Sequence, residues 1–359
     1  GAKPLTLPNA NGLHARPAAV LAQAAKGFKA SIYLHKQTES ANAKSLVRIM
    51  ALQTVQGDTV QVSAAGEDAE AAIQALVTLL AEGCGEAVTA HSPAAAPVAP
   101  DSSATMLRGV CASPGSAFGQ VVQVKEPALT FAEAGKGEAL ERAALTHALN
   151  NANQALQALQ EKAVGTAQSE IFRAHQELLD DPALLEQTRD LLDQGKSAAF
   201  AWNSATEATA TLFQGLGNAL LAERAADLAD VGQRVLKLIL GVQDRTWDLP
   251  EQAILIAEQL TPSQTASLDT RKVLGFVTVG GGATSHVAIL ARALGLPAIC
   301  GVPAQVLELV NGKQVLLDAD KGELHLNPDL AEIEQLQVTR QQHVLRRQRE
   351  VEQALLPAT

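Results

Sequence analysis

Two histidines in this chain stand where a negatively charged group could be held and handed on. His286 follows Gly280-Gly281-Gly282-Ala283-Thr284-Ser285, and consecutive glycines free the backbone from the constraints a Cβ imposes. Residues 273–279 before it form a short apolar, β-branched run that reads as a buried strand, and residues 287–294 after it have helical spacing. Strand, glycine turn and helix aim unpartnered N–H groups at an anion, at the positive end of the helix dipole. His14 stands at the entrance of another expected helix, residues 15–26, with Arg16 in its first turn. A guanidinium there can take two phosphoryl oxygens at once. The chemistry these settings suit is phosphoryl transfer on imidazole, with the backbone at Ala15, Gly282, Thr284 and Ser285 as candidate phosphate-binding groups. Spacing alone leaves a plainer reading of each histidine open, as an ordinary residue at a helix entrance.

The elements that would position these residues can be read from periodicity. Around His14 the expected order is β-α-β-β-α-β-α. It has strands at 3–7, 30–34 and, as a third or fourth strand, 59–63, helices at 15–26, 45–52 and 67–81, and helices covering one face of an antiparallel sheet. Pro17 sits in a first turn, where proline is tolerated, and Gly27 marks a stop. Residues 83–105 are rich in Ala, Pro and Ser and read as a flexible tether. Residues 107–124 read as two short strands around Ser113-Pro114-Gly115. The stretch 138–240 is helical throughout, with helices near 138–164, 167–180, 183–194, 198–215, 217–223 and 227–240. Strands return at 253–257, 273–279, 314–318 and 321–326, and a long charged helix is expected from Asp329 to about Leu355.

Three groups of motifs carry family resemblances. Gly281, Gly282, Thr284, Ser285 and His286, followed by Ile289, Ala291, Arg292, Gly295, Pro297, Ala298 and Gly301, resemble the phosphohistidine signature of phosphoenolpyruvate-dependent protein kinases and dikinases. Gly12-Leu13-His14-Ala15-Arg16-Pro17-Ala18-Ala19, with Ala43-Lys44-Ser45-Leu46 and Gly66-Glu67-Asp68, resembles the phosphocarrier HPr. Gly109-Val110-Cys111-Ala112-Ser113-Pro114-Gly115 and Glu223-Arg224-Ala225-Ala226-Asp227 resemble enzyme I of the sugar phosphotransferase system.

Together these resemble the multiphosphoryl transfer proteins of the bacterial phosphoenolpyruvate:sugar phosphotransferase system. The resemblance implies a multidomain α+β and α/β chain: an HPr-like open-faced β sandwich, then an α/β phosphohistidine domain with an inserted helical docking subdomain. The implied division is a carrier at 1–88 and a linker at 89–105. The phosphohistidine domain takes 106–130 and 249–328, the HPr-binding subdomain 131–248, and a linker helix 329–359. It further implies transfer from phospho-His286 to Nδ1 of His14, with Arg16 stabilising charge and Thr265, in Leu260-Thr261-Pro262-Ser263-Gln264-Thr265, orienting His286. Ser45 falls at the position that is a regulatory phosphoserine in some carriers, while its local role is to cap the following helix.

The implied partners are the enzyme I helical subdomain for the carrier, within or between chains, and a sugar-specific EIIA. The implied docking residues are Lys26 and Arg48 on the carrier, facing Glu170, Phe172, His175, Leu178 and Leu179. Two positions depart from the family: Gln168 and Arg173 fall where enzyme I often has a lysine and a glutamate. In enzyme I the final helix leads to a barrel that binds phosphoenolpyruvate with magnesium. The chain stops at Thr359, so that domain, its magnesium and the dimerisation it supports are expected to be absent. The chain alone is then a phosphotransferase unable to use phosphoenolpyruvate, with no metal or cofactor of its own.

Composition bounds these readings. With 359 residues, 47% hydrophobic but 3% aromatic, there is material for two or three cores of Ala, Val and Leu. Cys84, Cys111 and Cys300 are odd in number and lack CxxC spacing, which argues against a disulfide framework or a zinc site and fits a cytoplasmic setting. A net charge of −10 argues against nucleic acid as a partner. No run has transmembrane length, so contact with the membrane is expected only through the sugar permease. Two rivals remain: a fragment of the pyruvate phosphate dikinase or phosphoenolpyruvate synthase type, and a non-catalytic regulatory binding module.

Overall fold

A computed structural model describes residues 4–85, 105–125, 128–162, 167–215, 219–242, 249–261, 264–265, 268–269, 271–281, 286–329, 331 and 333. The chain divides into two compact units, Gly1–Ala94 with Ala128–Arg245, and Ala95–Pro127 with Thr246–Thr359.

The first unit has two layers of different kind. Its amino-terminal part is a four-stranded antiparallel sheet of β1 (Leu5–Thr6), β2 (Ser31–Lys36), β3 (Glu39–Asn42) and β4 (Thr59–Ala65), in the order β1-β4-β2-β3. Ile32, Leu34, Val60 and Val62 alternate inward from the two central strands, the period of 2 that a one-sided sheet requires. Over them lie α1 (Ala15–Lys26), the short α2 (Leu46–Ala51) and α3 (Ala69–Ala81). This is the expected carrier fold, with β2 starting one residue later and ending two residues later than its sequence pattern suggests.

The rest of the unit is a helical layer of α4 (Glu138–Lys162), α5 (Ala167–Leu179), α6 (Pro182–Asp193), α7 (Ala198–Gly215) and α8 (Ala219–Leu240). In α4 the buried stripe is Leu145, Ala148, Ala152 and Leu156, at helical spacing. The two expected helices at 217–223 and 227–240 are one helix, α8. No Gly or Pro interrupts Arg224–Asp227, and Arg224 pairs with Asp227 one turn on. Small residues let α7 and α8 approach: a Cβ at Gly232 would stand 2.9 Å from Thr206 Oγ1, and the indole of Trp202 donates to the Gly232 carbonyl at 3.1 Å.

The second unit is a mixed eight-stranded sheet, β5 (Met106–Arg108), β6 (Val110–Ser113), β7 (Ser116–Gln123), β8 (Ala253–Ala257), β9 (Val273–Thr278), β10 (Ala298–Cys300), β11 (Gln314–Asp318) and β12 (Glu323–His325). Its order is β5-β12-β11-β7-β8-β9-β10-β6. The pairs from β7 through β10 are parallel and the others antiparallel.

Although Gly109 alone separates β5 from β6, these strands stand at opposite ends of that order, so the sheet closes on itself around one strand bent at Gly109. A Cβ there would lie 2.6 Å from the Cys300 carbonyl oxygen, and the Gly109 amide donates to Gly322 O at 2.8 Å. The sequence pattern gave a single strand here and omitted β10, which is only three residues long.

Every residue of β8 is buried, as a strand covered on both faces must be. A helix, α9 (His286–Leu294), follows β9. The expected tether at 89–105 lies outside the described residues except for Thr105. Of the expected helix from Asp329, residues 331 and 333 are helical, and the Ile333 amide donates to Asp329 O at 3.1 Å.

Candidate functional site

In the first unit the turn before α1 is built to place one residue. Gly12 has φ +63°, and a Cβ there would stand 1.7 Å from the Thr54 carbonyl oxygen, so glycine is obligatory. The next amide, Leu13, donates to Thr54 Oγ1 at 2.8 Å, and Asn9 Nδ2 donates to Gly83 O at 2.9 Å. Held in this way, His14 is the N-cap of α1, extended at φ −73° and ψ −174°, and makes no side-chain cap bond. Its ring is half-buried and Arg16 in the first turn is exposed. No acidic residue occupies that turn, so the helix terminus keeps its positive character.

The carrier lies on the helical layer through α1 and α2, which pack against α5, with α2 also touching α6. Lys26 Nζ stands 2.9 Å from Glu177 Oε2 and 3.3 Å from Asp180 Oδ2. Arg173 donates to Gln23 Oε1 at 2.6 Å. Asp181 is fully buried and joins the two layers. Its carboxylate accepts Ser45 Oγ at 2.8 Å and the Val47 amide at 3.0 Å from the start of α2. It also accepts the Ala183 and Leu184 amides at 2.9 and 3.4 Å from the start of its own α6. Burial pushes the Asp181 carboxyl above the usual carboxylate range, and the four donors around it pull the other way.

Ser45 is thus both the expected cap of α2, accepting from the Arg48 amide at 3.1 Å, and half of a buried contact. Lys26 stands at the seam, whereas the Arg48 side chain is exposed. Leu178 is buried, on the α5 stripe that helical spacing shares with Ile171 and Ala174.

Phe172 and His175 are corrections. They face inward rather than toward the carrier: His175 is fully buried, 3.4 Å from Asp227 Oδ1 and 3.7 Å from Asp230 Oδ2 on α8. Phe172 meets its ring edge-on at 6.4 Å between centroids. Leu179 shares their stripe by spacing. The error has a physical source: α5 is packed on both sides, so two apolar stripes compete and the sequence does not label them. The side chains of Glu170 and Ala15 lie outside the described residues. Asp181 and Gln23 were absent from the expected contacts. The signal for Asp181 was the Asp-Pro pair, an N-cap followed by proline at the first helical position.

In the second unit the elements converge at the carboxyl ends of the parallel strands β7 to β10, the end at which α/β sheets place ligands. After β8 the chain turns at Thr261. The Thr261 amide donates to Gln264 Oε1 at 2.8 Å and the Gln264 amide donates to Thr261 Oγ1 at 3.2 Å, a capping box. Thr265 is buried in that turn and its hydroxyl donates to Thr261 O at 3.1 Å.

After β9, the Gly280 amide donates to Glu258 O at 2.8 Å, which ties the glycine turn to the end of β8. Gly281 follows at φ +84°. Gly282, Thr284 and Ser285 lie outside the described residues. The backbone resumes with His286 as the first residue of α9, and its side chain lies outside them too. Val287, Ala288, Leu290 and Ala291 seat that helix on the sheet.

Known proteins share this arrangement. Family models match the chain at residues 2–82 (PTS HPr component phosphorylation site), 108–224 (PEP-utilising enzyme, N-terminal) and 249–322 (PEP-utilising enzyme, mobile domain). A multiphosphoryl transfer protein of Xanthomonas campestris is 38% identical over 368 residues, covering 98% of this chain and 44% of that protein. One from Rhodobacter capsulatus is 37% identical over 319 residues, covering 85% and 39%. The chain therefore spans less than half the length of these relatives. A solution structure of enzyme I (nEIt) matches with a TM-score of 0.51 and 34% identity, covering 66% of this chain and 99% of that one.

Proposed function

Since the chain belongs to the phosphotransferase family that combines an HPr-type carrier with the N-terminal and mobile domains of PEP-utilising enzymes, we propose that it is a phosphoryl relay from His286 to His14. The observation that carries this is that each histidine opens a helix at a glycine turn: His14 caps α1 behind Gly12, and His286 begins α9 after Gly280 and Gly281.

A lone pair on Nδ1 of His14 attacks the phosphorus of phospho-His286. One N–P bond forms as the other breaks, its electron pair returns to the His286 imidazole, and no net proton is released. The work of the protein is positioning and charge stabilisation, by the helix amides and by Arg16. Thr265 orients His286. The carrier's α1 and α2, seated on α5 and α6, present His14 for loading. From His14 the group passes to a sugar-specific EIIA, in a cytoplasmic setting consistent with the three free cysteines. Among the described residues no helix is long and apolar enough to cross a membrane.

The test uses a separately supplied phosphorylated donor domain. His286→Ala abolishes loading of His14 by that donor, while His14→Ala leaves His286 reversibly phosphorylated. Loading of His14 in the His286→Ala chain at the wild-type rate would overturn the relay.

A further inference from the structure

Lys36 ends β2 on the buried side of the strand. Ile32 and Leu34 are buried in the carrier core, and alternation puts Lys36 on their face, where an apolar residue would continue the pattern. Its ammonium instead reaches the end of α2. It donates to Gln53 O at 2.9 Å and Leu52 O at 3.3 Å, and to Asp58, with Oδ2 at 2.9 Å. An ammonium has three N–H donors, and these three oxygens use them all.

The two carbonyls belong to an unusual stretch of backbone. Leu52 is the C-cap of α2, and Gln53 after it has φ +45°. Helices often end on a left-handed residue, but that residue is usually glycine, so a glutamine is held there against its own preference. A cation near the carboxyl end of a helix stabilises the unpaired carbonyls, so Lys36 offsets what Gln53 costs. The next residue, Thr54, is buried and holds both residues ahead of His14. Its Oγ1 accepts the Leu13 amide at 2.8 Å, and its carbonyl oxygen lies against Gly12, where no Cβ fits. Farther along, Asp58 Oδ2 accepts the Val55 amide at 2.8 Å, and the Leu7 amide donates to Asp58 O at 2.9 Å. Residues 53–58 are therefore pinned at both ends, with Lys36 bound to each.

We propose that Lys36 is a positioning residue for phosphoryl transfer: by holding Gln53 left-handed it sets Thr54 against Gly12 and Leu13, and so sets the direction in which the His14 ring leaves the start of α1. This rests on the reading of His14 as the phosphoryl acceptor. A role in capping α2 alone would end at Gln53, whereas this one continues through Thr54 to the residues next to His14. In-line attack by a ring nitrogen tolerates little misplacement, so a shift of this backbone reaches the reaction without any contact between Lys36 and the phosphoryl group.

Loading of His14 through a separately supplied phosphorylated donor domain is followed in the full chain, and the His14 ring nitrogen chemical shifts are read in the unphosphorylated chain. Lys36→Met is expected to lower the loading rate about tenfold or more and to move the ring shifts. Adding Gln53→Gly, which takes a positive φ with no ammonium to hold it, is expected to restore most of the rate. Thr54→Val, close in shape but without the hydroxyl, should lose loading as Lys36→Met does, and Thr54→Ser should recover it. Circular dichroism and Tm establish that each variant is folded, and the Thr54 pair carries the test should Lys36→Met not fold. Equal loss in Lys36→Met with and without Gln53→Gly, ring shifts that stay at their wild-type values, or full loading in Thr54→Val overturns the proposal. Absence of His14 loading in the wild-type chain overturns the relay instead, and the ring shifts then decide the role of Lys36.

Discussion

At the scale of single residues, Asp181 and Asp68 show how differently one side chain type can serve. Asp181 is buried among four donors from two helices. Removing it in Asp181→Ala takes away an N-cap and strands buried donors, at about 0.5–2 kcal/mol for the first and about 1–3 kcal/mol for the second. Asp181→Asn separates its two roles. Asn caps a helix as well as Asp does, so α6 keeps its start, but the amide turns N–H groups toward donors on α2. Hydrogen exchange should show a faster Val47 amide in Asp181→Asn with α6 still protected.

The pH dependences of the two aspartates have opposite signs. Burial raises the Asp181 carboxyl, so the folded state holds its proton more tightly than the unfolded chain. Its contribution is fully present below the unfolded pKa, about 3.9, and declines as pH rises through the folded value. Asp68 accepts the Lys29 and Ala30 amides at 2.7 Å each, and these bonds, that from Lys29 foremost, hold its carboxyl below the ordinary range. Its contribution is present above the unfolded pKa and is lost as pH falls through the folded one. Chemical denaturation of each Asp→Asn variant across pH should flatten the corresponding slope.

At the scale of elements, the helices were the most legible part of the chain. Stripes such as Leu145, Ala148, Ala152 and Leu156 carry their own period. Short strands were not, since three residues such as Ala298–Cys300 are too few to show alternation. Which face of α5 meets the carrier was also illegible, because Phe172 and Ile171 are equally apolar and only packing distinguishes them. The helix that His14 opens was readable from its period, but the reason its entrance needs glycine was not: the positive φ of Gly12 and its contact with Thr54 come from the fold. Gly12→Ala combines a disfavoured φ with a backbone clash and should cost about 3 kcal/mol, read as a lowered carrier Tm. Loading of His14 should fall with it, because the helix entrance is displaced.

At the scale of the whole molecule, the helical layer is inserted between two neighbouring strands of the second unit. β7 ends at Gln123 and β8 begins at Ala253, yet they pair in parallel, Gln120 opposite Ala253. A parallel connection must run the length of the sheet, which takes a dozen or more residues. Replacing 128–245 with a flexible linker of about 15 residues should leave the eight-stranded sheet folded, with cooperative thermal unfolding. Loss of that cooperativity would show that the insertion stabilises the sheet rather than merely interrupting it.

The strand bent at Gly109 also governs how that sheet comes apart. An open sheet frays from its borders, so its outer strands exchange their amides long before the central ones. Here β5 hydrogen-bonds β12 and β6 hydrogen-bonds β10, and the two are one continuous run of chain, so neither end strand can peel away without pulling on the other. Amides on β6 and β10 should therefore exchange with the slow kinetics of global unfolding. Gly109→Val, which forces a side chain against the Cys300 carbonyl, should convert them into the first to be lost, turning a hoop into a ribbon with two ends.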